Sequence, residues 1–206
     1  MIILPYLEHA PQIGSRVAAY PTSAVIGRTQ LGSDCTLGEL TLMRADGEEV
    51  RIGVDCWFGE ASTVHIADKL YPAIIGSRVT VGRYSLVHAC TVGDDCVIGE
   101  HAAIMDGSVL GAGSVIAAES VVPPGKTLEG GWLYAGAPAL PVERVTGALL
   151  DHLHRAMRAG SGTEEPPCIF AAARVPGLRH AAGFGLKRIC AEGAYVAPTA
   201  SIAGRV

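Results

Sequence analysis

The 206-residue sequence is poor in the features that mark several common classes of protein. Aromatic residues make up 5% of the chain and charged residues 17%, so a core would have to be built from Val, Ile, Leu and Ala. No apolar run reaches the roughly 18 residues of a membrane span, and the N-terminus lacks the basic start of a signal peptide. The net charge of −4 does not indicate the basic surface that nucleic-acid-binding proteins carry. We therefore expect a cytoplasmic protein with neither membrane nor nucleic-acid partners.

The six cysteines form no CxxC pair. Three of them, Cys35, Cys56 and Cys96, stand four residues after an apolar position of the repeat described next, where a small inward side chain fits. We interpret the cysteines as buried free thiols of a reducing compartment, in preference to disulfides or metal ligands.

Residues 75–105 carry the clearest pattern in the chain, because an apolar residue recurs there about every sixth position. Those positions are Ile75, Val81, Val87, Val92, Ile98 and Ile104. Glycine follows four of the six, and a five-residue unit contains His88. Similar hexads begin at Val25 and continue to Val122, with two interruptions.

A six-residue period predicts a solenoid. Each hexad supplies a short strand and a corner, and three hexads close one triangular coil around an aliphatic interior. A helical interpretation fails, because glycines this dense would each cost about 1 kcal/mol in a helix. A sandwich would need two-residue alternation with separate turn signals.

We divide the chain into four parts. Residues 1–140 form the hexapeptide-repeat domain, and residues 141–159 form a helix whose apolar residues recur at helical spacing. Pro141 suits the first turn of that helix. Residues 160–167 are rich in Gly, Glu and Pro and read as a linker, which leaves residues 168–206 as a tail.

The tail repeats features of the N-terminal region, since YVAPTASIAGR near its end is similar to YPTSAVIGR in the first part of the chain. Two interpretations stay open. The tail adds a cap or a strand, here or on a neighbouring subunit, or it is the stub of a second copy. We favour the added cap.

Stacking the hexads by coil places residues of equal phase about 4.8 Å apart, and two columns then stand out. One column reads His65, His88, Met105. Two imidazoles on adjacent coils can hold a metal ion together, although two histidines that merely pack on each other are the commoner case.

The second column reads Glu60, Arg83, Glu100, and it predicts a ladder in which the arginine lies between two carboxylates. On an open surface such a ladder contributes little to stability. In a cleft the same charges would bind an anion or orient a polar substrate.

Several segments together resemble one family. Residues 42–46, LMRAD, are similar to its Arg-Gly-Asp segment, and residues 62–65 and 81–93 to its two metal-ligand segments. Residues 136–139, GAPA, with Arg144, are similar to its exit from the solenoid. The whole resembles the gamma-class carbonic anhydrase-like branch of hexapeptide-repeat proteins. That resemblance implies an all-β solenoid, a left-handed parallel β-helix, with a C-terminal α-helix and, in this chain, an extra tail.

The resemblance also implies a homotrimer with a zinc-type site at each subunit interface. His65 and His88 match the two metal ligands that one subunit contributes. Arg83 stands where the neighbouring subunit contributes the third ligand. Arginine stays protonated and offers a metal no lone pair, so the expected zinc site is incomplete.

A second departure concerns proton handling. Gly59 stands in place of the glutamine that helps to place the attacking water, and Glu60 in place of its neighbouring aspartate. Arg44 and Asp46 remain, although in the family they also form an interface ion pair. We therefore expect no ordinary CO2 hydration and no resident cofactor, with zinc bound only if a third ligand comes from elsewhere.

The candidate site residues fall into three groups. The candidate catalytic residues are Arg44, Asp46, Glu60 and His101. The candidate residues for a substrate or an anion are Arg83, Tyr84 and Glu100, and the incomplete metal set is His65 and His88.

Three functions stay open. The first is a diverged, trimeric carbonic anhydrase-like protein that binds a small anion or carboxylate, or serves as a scaffold. The second is an acyl-CoA-dependent acyltransferase with a histidine as general base, although residues 66–73 offer the only extra loop for an acceptor. The third is a thioesterase or hydratase that acts on CoA esters.

Overall fold

A computed structural model describes residues 1–159 as a left-handed β-solenoid of about seven turns followed by one helix. The predicted linker and the predicted tail lie outside the described residues. The elements are β1 (Ile2–Leu4), β2 (Gln12–Ile13), β3 (Ala18–Ala19), β4 (Ala24–Leu31), β5 (Thr36–Leu37), β6 (Leu42–Ile52), β7 (Trp57–Phe58), β8 (Thr63–His65), β9 (Ala73–Ile75), β10 (Thr80–Val81), β11 (Leu86–His88), β12 (Thr91–Val92), β13 (Val97–Ile98), β14 (Ala103–Ile104), β15 (Val109–Leu110), β16 (Val115–Ile116), β17 (Val121–Val122), β18 (Thr127–Leu128), β19 (Trp132–Ala135), β20 (Leu140–Arg144) and α1 (Gly147–Ala159).

The strands pair in parallel up the solenoid and form three faces. The site face contains the start of β6 and then β8, β11, β14 and β17. The helix face contains β5, β7, β10, β13, β16 and β19, and the third face contains the end of β6, β9, β12, β15 and β18. The hexad period predicted this architecture, and the structure confirms it.

The interior consists of aliphatic residues stacked in register. On the site face, Met43, Val64, Val87, Ile104 and Val122 are all 0% exposed. The four described cysteines, Cys35, Cys56, Cys90 and Cys96, are buried and free. Because every coil buries its apolar residues against the coils above and below, the solenoid needs few aromatic side chains.

The corners explain why glycine follows so many of the apolar positions. A β-carbon on Gly82 would lie 2.6 Å from the backbone nitrogen of Glu100 in the next coil, so only glycine allows the two coils to approach. Tyr84 and His101 lie nearby in left-handed conformations, with φ of 58° and 55°, and their side chains project outward from the corner.

A further coil precedes the hexads that begin at Val25, within the predicted domain of residues 1–140. Ile13 and Ala19 pair in register with Leu31 and Leu37 and so add a coil before Val25. The Ile13-Gly14 pair, in phase with the later hexads, is the signal that was missed.

The helix begins later than predicted, at Gly147 rather than near Pro141. Pro141 lies instead in β20, an exposed strand that runs antiparallel to β19 and closes the end of the solenoid. An edge strand tolerates proline because the missing N–H would face solvent. The Thr146 hydroxyl accepts a hydrogen bond from the Leu149 N–H at 3.3 Å and caps the helix where it begins.

The apolar stripe of α1 packs on the helix face. Leu153 and Met157 are 3% and 7% exposed and share a cluster with Val97, Val115 and Leu133. Within residues 1–159, no helix is long and apolar enough to cross a membrane.

Candidate functional site

The site face carries a column of polar residues on three neighbouring strands. Arg44, His65 and His88 are register partners in β6, β8 and β11. Each strand points alternate residues inward and outward, so the buried Val64 and Val87 force the histidines that follow them to face outward. His65 Nδ1 lies 3.1 Å from His88 Nε2.

A carboxylate engages the outer nitrogen of each imidazole. His65 Nε2 lies 3.1 Å from Asp46 Oδ1, and His88 Nδ1 lies 2.6 Å from Asp106 Oδ1. The four side chains form an unbroken line, which we call the Asp–His–His–Asp chain. It fixes the orientation of both rings and points one nitrogen of each ring at the other.

The number of N–H protons in the Asp–His–His–Asp chain shows what charge its centre can accept. Three hydrogen bonds between two ionised carboxylates require three N–H protons, whereas two neutral imidazoles carry two. With neutral rings whose outer nitrogens donate to the carboxylates, His65 Nδ1 and His88 Nε2 face each other with lone pairs only. The centre of the chain is therefore a place for one further positive charge.

Arg44 extends the chain at one end through an ion pair with Asp46. Burial acts to raise the pKa of Asp46, but hydrogen bonds from His65 and Arg44 hold that pKa below its usual value. The ionised Asp46 thus orients His65 while Arg44 balances its charge.

The remaining candidate residues lie at three stacked corners, which precede β8, β11 and β14. Arg83 Nε donates to Glu100 Oε1 at 2.8 Å, while Glu60 accepts a hydrogen bond from the Tyr84 hydroxyl at 3.4 Å. The ladder prediction was therefore wrong for Glu60, because the Tyr84 hydroxyl, and not the guanidinium, is its partner. The Tyr84 and His101 rings stack with centroids 5.0 Å apart.

The two groups of residues do not meet within one chain. Across residues 1–159, no hydrogen bond or ion pair joins the corner residues to the Asp–His–His–Asp chain. The corner and the site face are successive parts of one coil, so a side chain that projects from the corner points away from its own site face. Within one chain, Arg83 therefore makes no contact with the His65–His88 pair.

Asp106 is the residue that the sequence analysis missed. It follows Met105, which occupies the histidine column one coil further on. The available signal was a carboxylate in the next coil, one residue after the position that aligns with the two histidines. It was missed because only residues of equal phase were compared.

Within one chain, the described residues offer two of the protein ligands that a catalytic zinc ion needs. Such an ion requires three protein ligands and an open position for water. Two imidazole nitrogens are suitably oriented by their carboxylate partners, but a guanidinium stands at the position that resembles the third ligand.

Comparisons with known proteins agree with this fold. No protein-family model matches the chain. Protein YrdA of Escherichia coli is 41% identical over 143 residues, which cover 66% of this chain and 78% of that protein. Mitochondrial gamma carbonic anhydrase 2 of Arabidopsis thaliana is 29% identical over 98 residues, 45% of this chain and 35% of that protein.

The chain belongs to the gamma-class carbonic anhydrase-like family of hexapeptide-repeat proteins.

Solved structures of similar proteins have the same solenoid. A hexapeptide transferase family protein from Anaplasma phagocytophilum has a TM-score of 0.71 at 26% identity, with 77% of this chain and 93% of that chain covered. A putative acetyltransferase from Bacillus cereus has a TM-score of 0.72 at 28% identity, with 77% and 91% covered. The family therefore shares its architecture with proteins described as transferases, and the site itself must decide between the functions.

Proposed function

We propose that this chain is a trimeric gamma carbonic anhydrase-like protein that has exchanged zinc chemistry for the binding of a small carboxylate anion. The observation that carries the proposal is the pairing of an intact, carboxylate-oriented His65–His88 pair with Arg83 at the third ligand position. In a trimer of the family type, the guanidinium of one copy would face the imidazoles of its neighbour.

The chemistry of these groups suits an anion. One further proton at the centre of the Asp–His–His–Asp chain would let an inner imidazole N–H donate to an anion beside the two rings, and a guanidinium offers a planar fork that matches a carboxylate. Arg83 is already held by Glu100 through its Nε. Its two terminal nitrogens make no hydrogen bond within the described residues and remain available for a ligand.

The outward residues of the site face support the trimer. Beside the histidine column, the register positions from β6 to β17 are all half-buried and mostly apolar: Leu42, Thr63, Leu86, Ala103 and Val121. At comparable positions the third face presents the half-buried Ile74 and then three exposed residues, Thr91, Val109 and Thr127. An apolar stripe beside a polar site is typical of a surface that a partner covers.

Thermal stability with and without anions tests the proposal. Bicarbonate and acetate should raise the Tm of the wild type, and Arg83→Ala should abolish that shift. Arg78→Ala is the matched control, because Arg78 is also a corner arginine that pairs with a carboxylate, at 2.6 Å from Asp95. Equal Tm shifts in the wild type and in Arg83→Ala would contradict the proposed anion site.

Metal analysis of the full chain, purified without a histidine tag, tests the exchange of zinc. We expect less than stoichiometric zinc after equilibration with the free ion. Stoichiometric zinc that is lost in both His65→Ala and His88→Ala would contradict the proposal and restore a metal site.

An acyl-CoA-dependent acyltransferase is the second candidate, favoured by the likeness to the hexapeptide transferase family protein and the putative acetyltransferase. A thioesterase or hydratase for CoA esters would bind the same cofactor portion. Acetyl-CoA and CoA should then protect the protein against thermal unfolding, whereas the anion-site proposal expects no shift with CoA. The cytoplasmic location and the absence of a resident cofactor remain predictions.

A further inference from the structure

Residues 66–73 form a turn that leaves the site face directly after His65. Ala67 and Tyr71 form an antiparallel bridge, in which the Ala67 N–H donates to the Tyr71 carbonyl at 3.1 Å. The Leu70 N–H donates to the Ala67 carbonyl at 2.8 Å. Two hydrogen bonds inside so short a segment give the turn a defined shape.

Both sides of the turn are attached to the solenoid. On one side the Asp68 carbonyl accepts a hydrogen bond from the Glu48 N–H at 2.8 Å. On the other side the Tyr71 ring covers Gly107, since a β-carbon on that glycine would lie 3.5 Å from Tyr71 Cζ. The turn is thus anchored to the coil before it and to the second coil after it.

The attachment at Gly107 brings the turn to the anion site. Gly107 directly follows Asp106, whose carboxylate holds His88. The aromatic ring therefore covers the residue next in sequence to the aspartate that ends the Asp–His–His–Asp chain. At the other end of the turn, Ile66 directly follows His65.

The turn presents apolar surface at this place. Leu70 is 77% exposed and Tyr71 is 49% exposed. A leucine held outward on an anchored turn gains nothing from folding, because its side chain stays in water. The charges of the neighbouring Asp68 and Lys69 cancel, so the turn adds no net charge to the site.

We infer that Leu70 and Tyr71 form an apolar wall of the anion site, and that the ligand is an organic carboxylate with a hydrocarbon tail rather than bicarbonate. This inference rests on the proposed anion site. The imidazoles and a neighbour's Arg83 hold the carboxylate, and the tail lies against the wall.

Calorimetric titration of the full-length trimer with formate, acetate, propionate and butyrate tests the inference. Burying a methylene group against apolar surface should tighten binding about fourfold for each added carbon. Leu70→Ser and Tyr71→Ser should flatten this series, because they weaken the binding of butyrate more than the binding of formate. Leu140→Ser and Tyr20→Ser are matched controls, because these residues are exposed apolar side chains elsewhere, 62% and 41% exposed.

The outcomes separate the inference from the function on which it rests. If formate binds and the series is flat in the wild type, or is equally steep in Leu70→Ser and Tyr71→Ser, the wall is wrong and the anion site stands. If no carboxylate binds, or Arg83→Ala binds all four as the wild type does, the anion site itself fails. Circular dichroism and sedimentation of every variant show whether the fold and the assembly are retained.

Discussion

The helix face and the site face are built by the same hexad rule, yet their outward residues have different environments. On the helix face, Val97 and Val115 are 1% and 0% exposed because α1 covers them. On the site face, Leu42 and Leu86 remain half-buried, with no element of residues 1–159 packed over them. The hexads alone do not cover their own outward apolar residues. One face receives a helix from its own chain, and the other is available to a second copy.

The histidines of the two faces also differ in their surroundings. Beneath α1, the buried Thr80 hydroxyl lies 2.7 Å from His154 Nδ1 and accepts a hydrogen bond from Arg158. Burial, and then the nearby Arg158 charge, lower the pKa of His154. The Nε2 of His154 is buried, so we interpret that histidine as a structural contact of α1. The histidines of the site face form a line of their own and remain partly exposed.

Removing the apolar anchor of the helix face should have the largest effect. Leu153 is 3% exposed, and truncation to alanine leaves a cavity between α1 and the solenoid. We expect Leu153→Ala to lower the free energy of unfolding by about 3 kcal/mol in urea titrations. Leu40→Ala, at a corner residue that is 60% exposed, should change it by less than about 0.5 kcal/mol. Equal losses would mean that α1 does not carry the stability of this face.

A charge in the apolar stripe of the site face should affect assembly more than folding. Leu86→Glu would place a carboxylate from each copy into the proposed interface. We expect the trimer to dissociate at least 100-fold more readily in sedimentation experiments, since a buried unpaired charge costs several kcal/mol. Val109→Glu, at a similar strand position on the third face, is the matched control and should sediment as the wild type does. Dissociation by both variants, or by neither, would remove the difference between the faces.

The sequence predicted the solenoid because its fold follows from local spacing. Val81, Val87 and Ile98 point inward wherever a six-residue period is maintained, whatever the rest of the chain does. The first coil falls within the predicted domain of residues 1–140, but its hexads were not recognised because the Ile13-Gly14 pair stands alone. The strand at Pro141 was missed for a different reason, because its extended shape depends on pairing with β19, a contact that local spacing does not encode.

The candidate site was only partly predictable for a physical reason. The stacking of His65 on His88 follows from register, and the structure shows their ring nitrogens 3.1 Å apart. The partner of Arg83 does not follow from register, because side-chain conformations at a left-handed corner decide between Glu60 and Glu100. Asp106 also lies at a corner, so strand register alone does not predict its contact with His88.

Within the site face, the orientation of His88 should depend on Asp106. Asp106→Asn keeps the shape of the side chain but removes the charge that orients the ring. We expect about tenfold weaker binding of acetate by calorimetry, since a hydrogen bond to a charged group contributes about 1.5–3 kcal/mol. Asp151→Asn, at an exposed residue of α1, is the control. An unchanged Kd in Asp106→Asn would place the anion away from His88.

The smallest effect should come from the ion pair at the corner beside the helix face. Two hydrogen bonds of 2.6 Å from Arg78 lower the pKa of Asp95. The ionised carboxylate therefore stabilises the protein above the pKa of the unfolded chain, and this contribution is lost as the pH falls through the lower folded-state pKa.

We therefore expect Asp95→Asn to lower the free energy of unfolding at pH 7 by less than about 1 kcal/mol, because both side chains are well exposed. The difference from wild type should shrink as the solution is acidified. Urea titrations at neutral and acidic pH measure both quantities. A loss as large as that of Leu153→Ala would mean that ion pairing, rather than apolar burial, stabilises the helix face, and the contrast with the site face would then need another explanation.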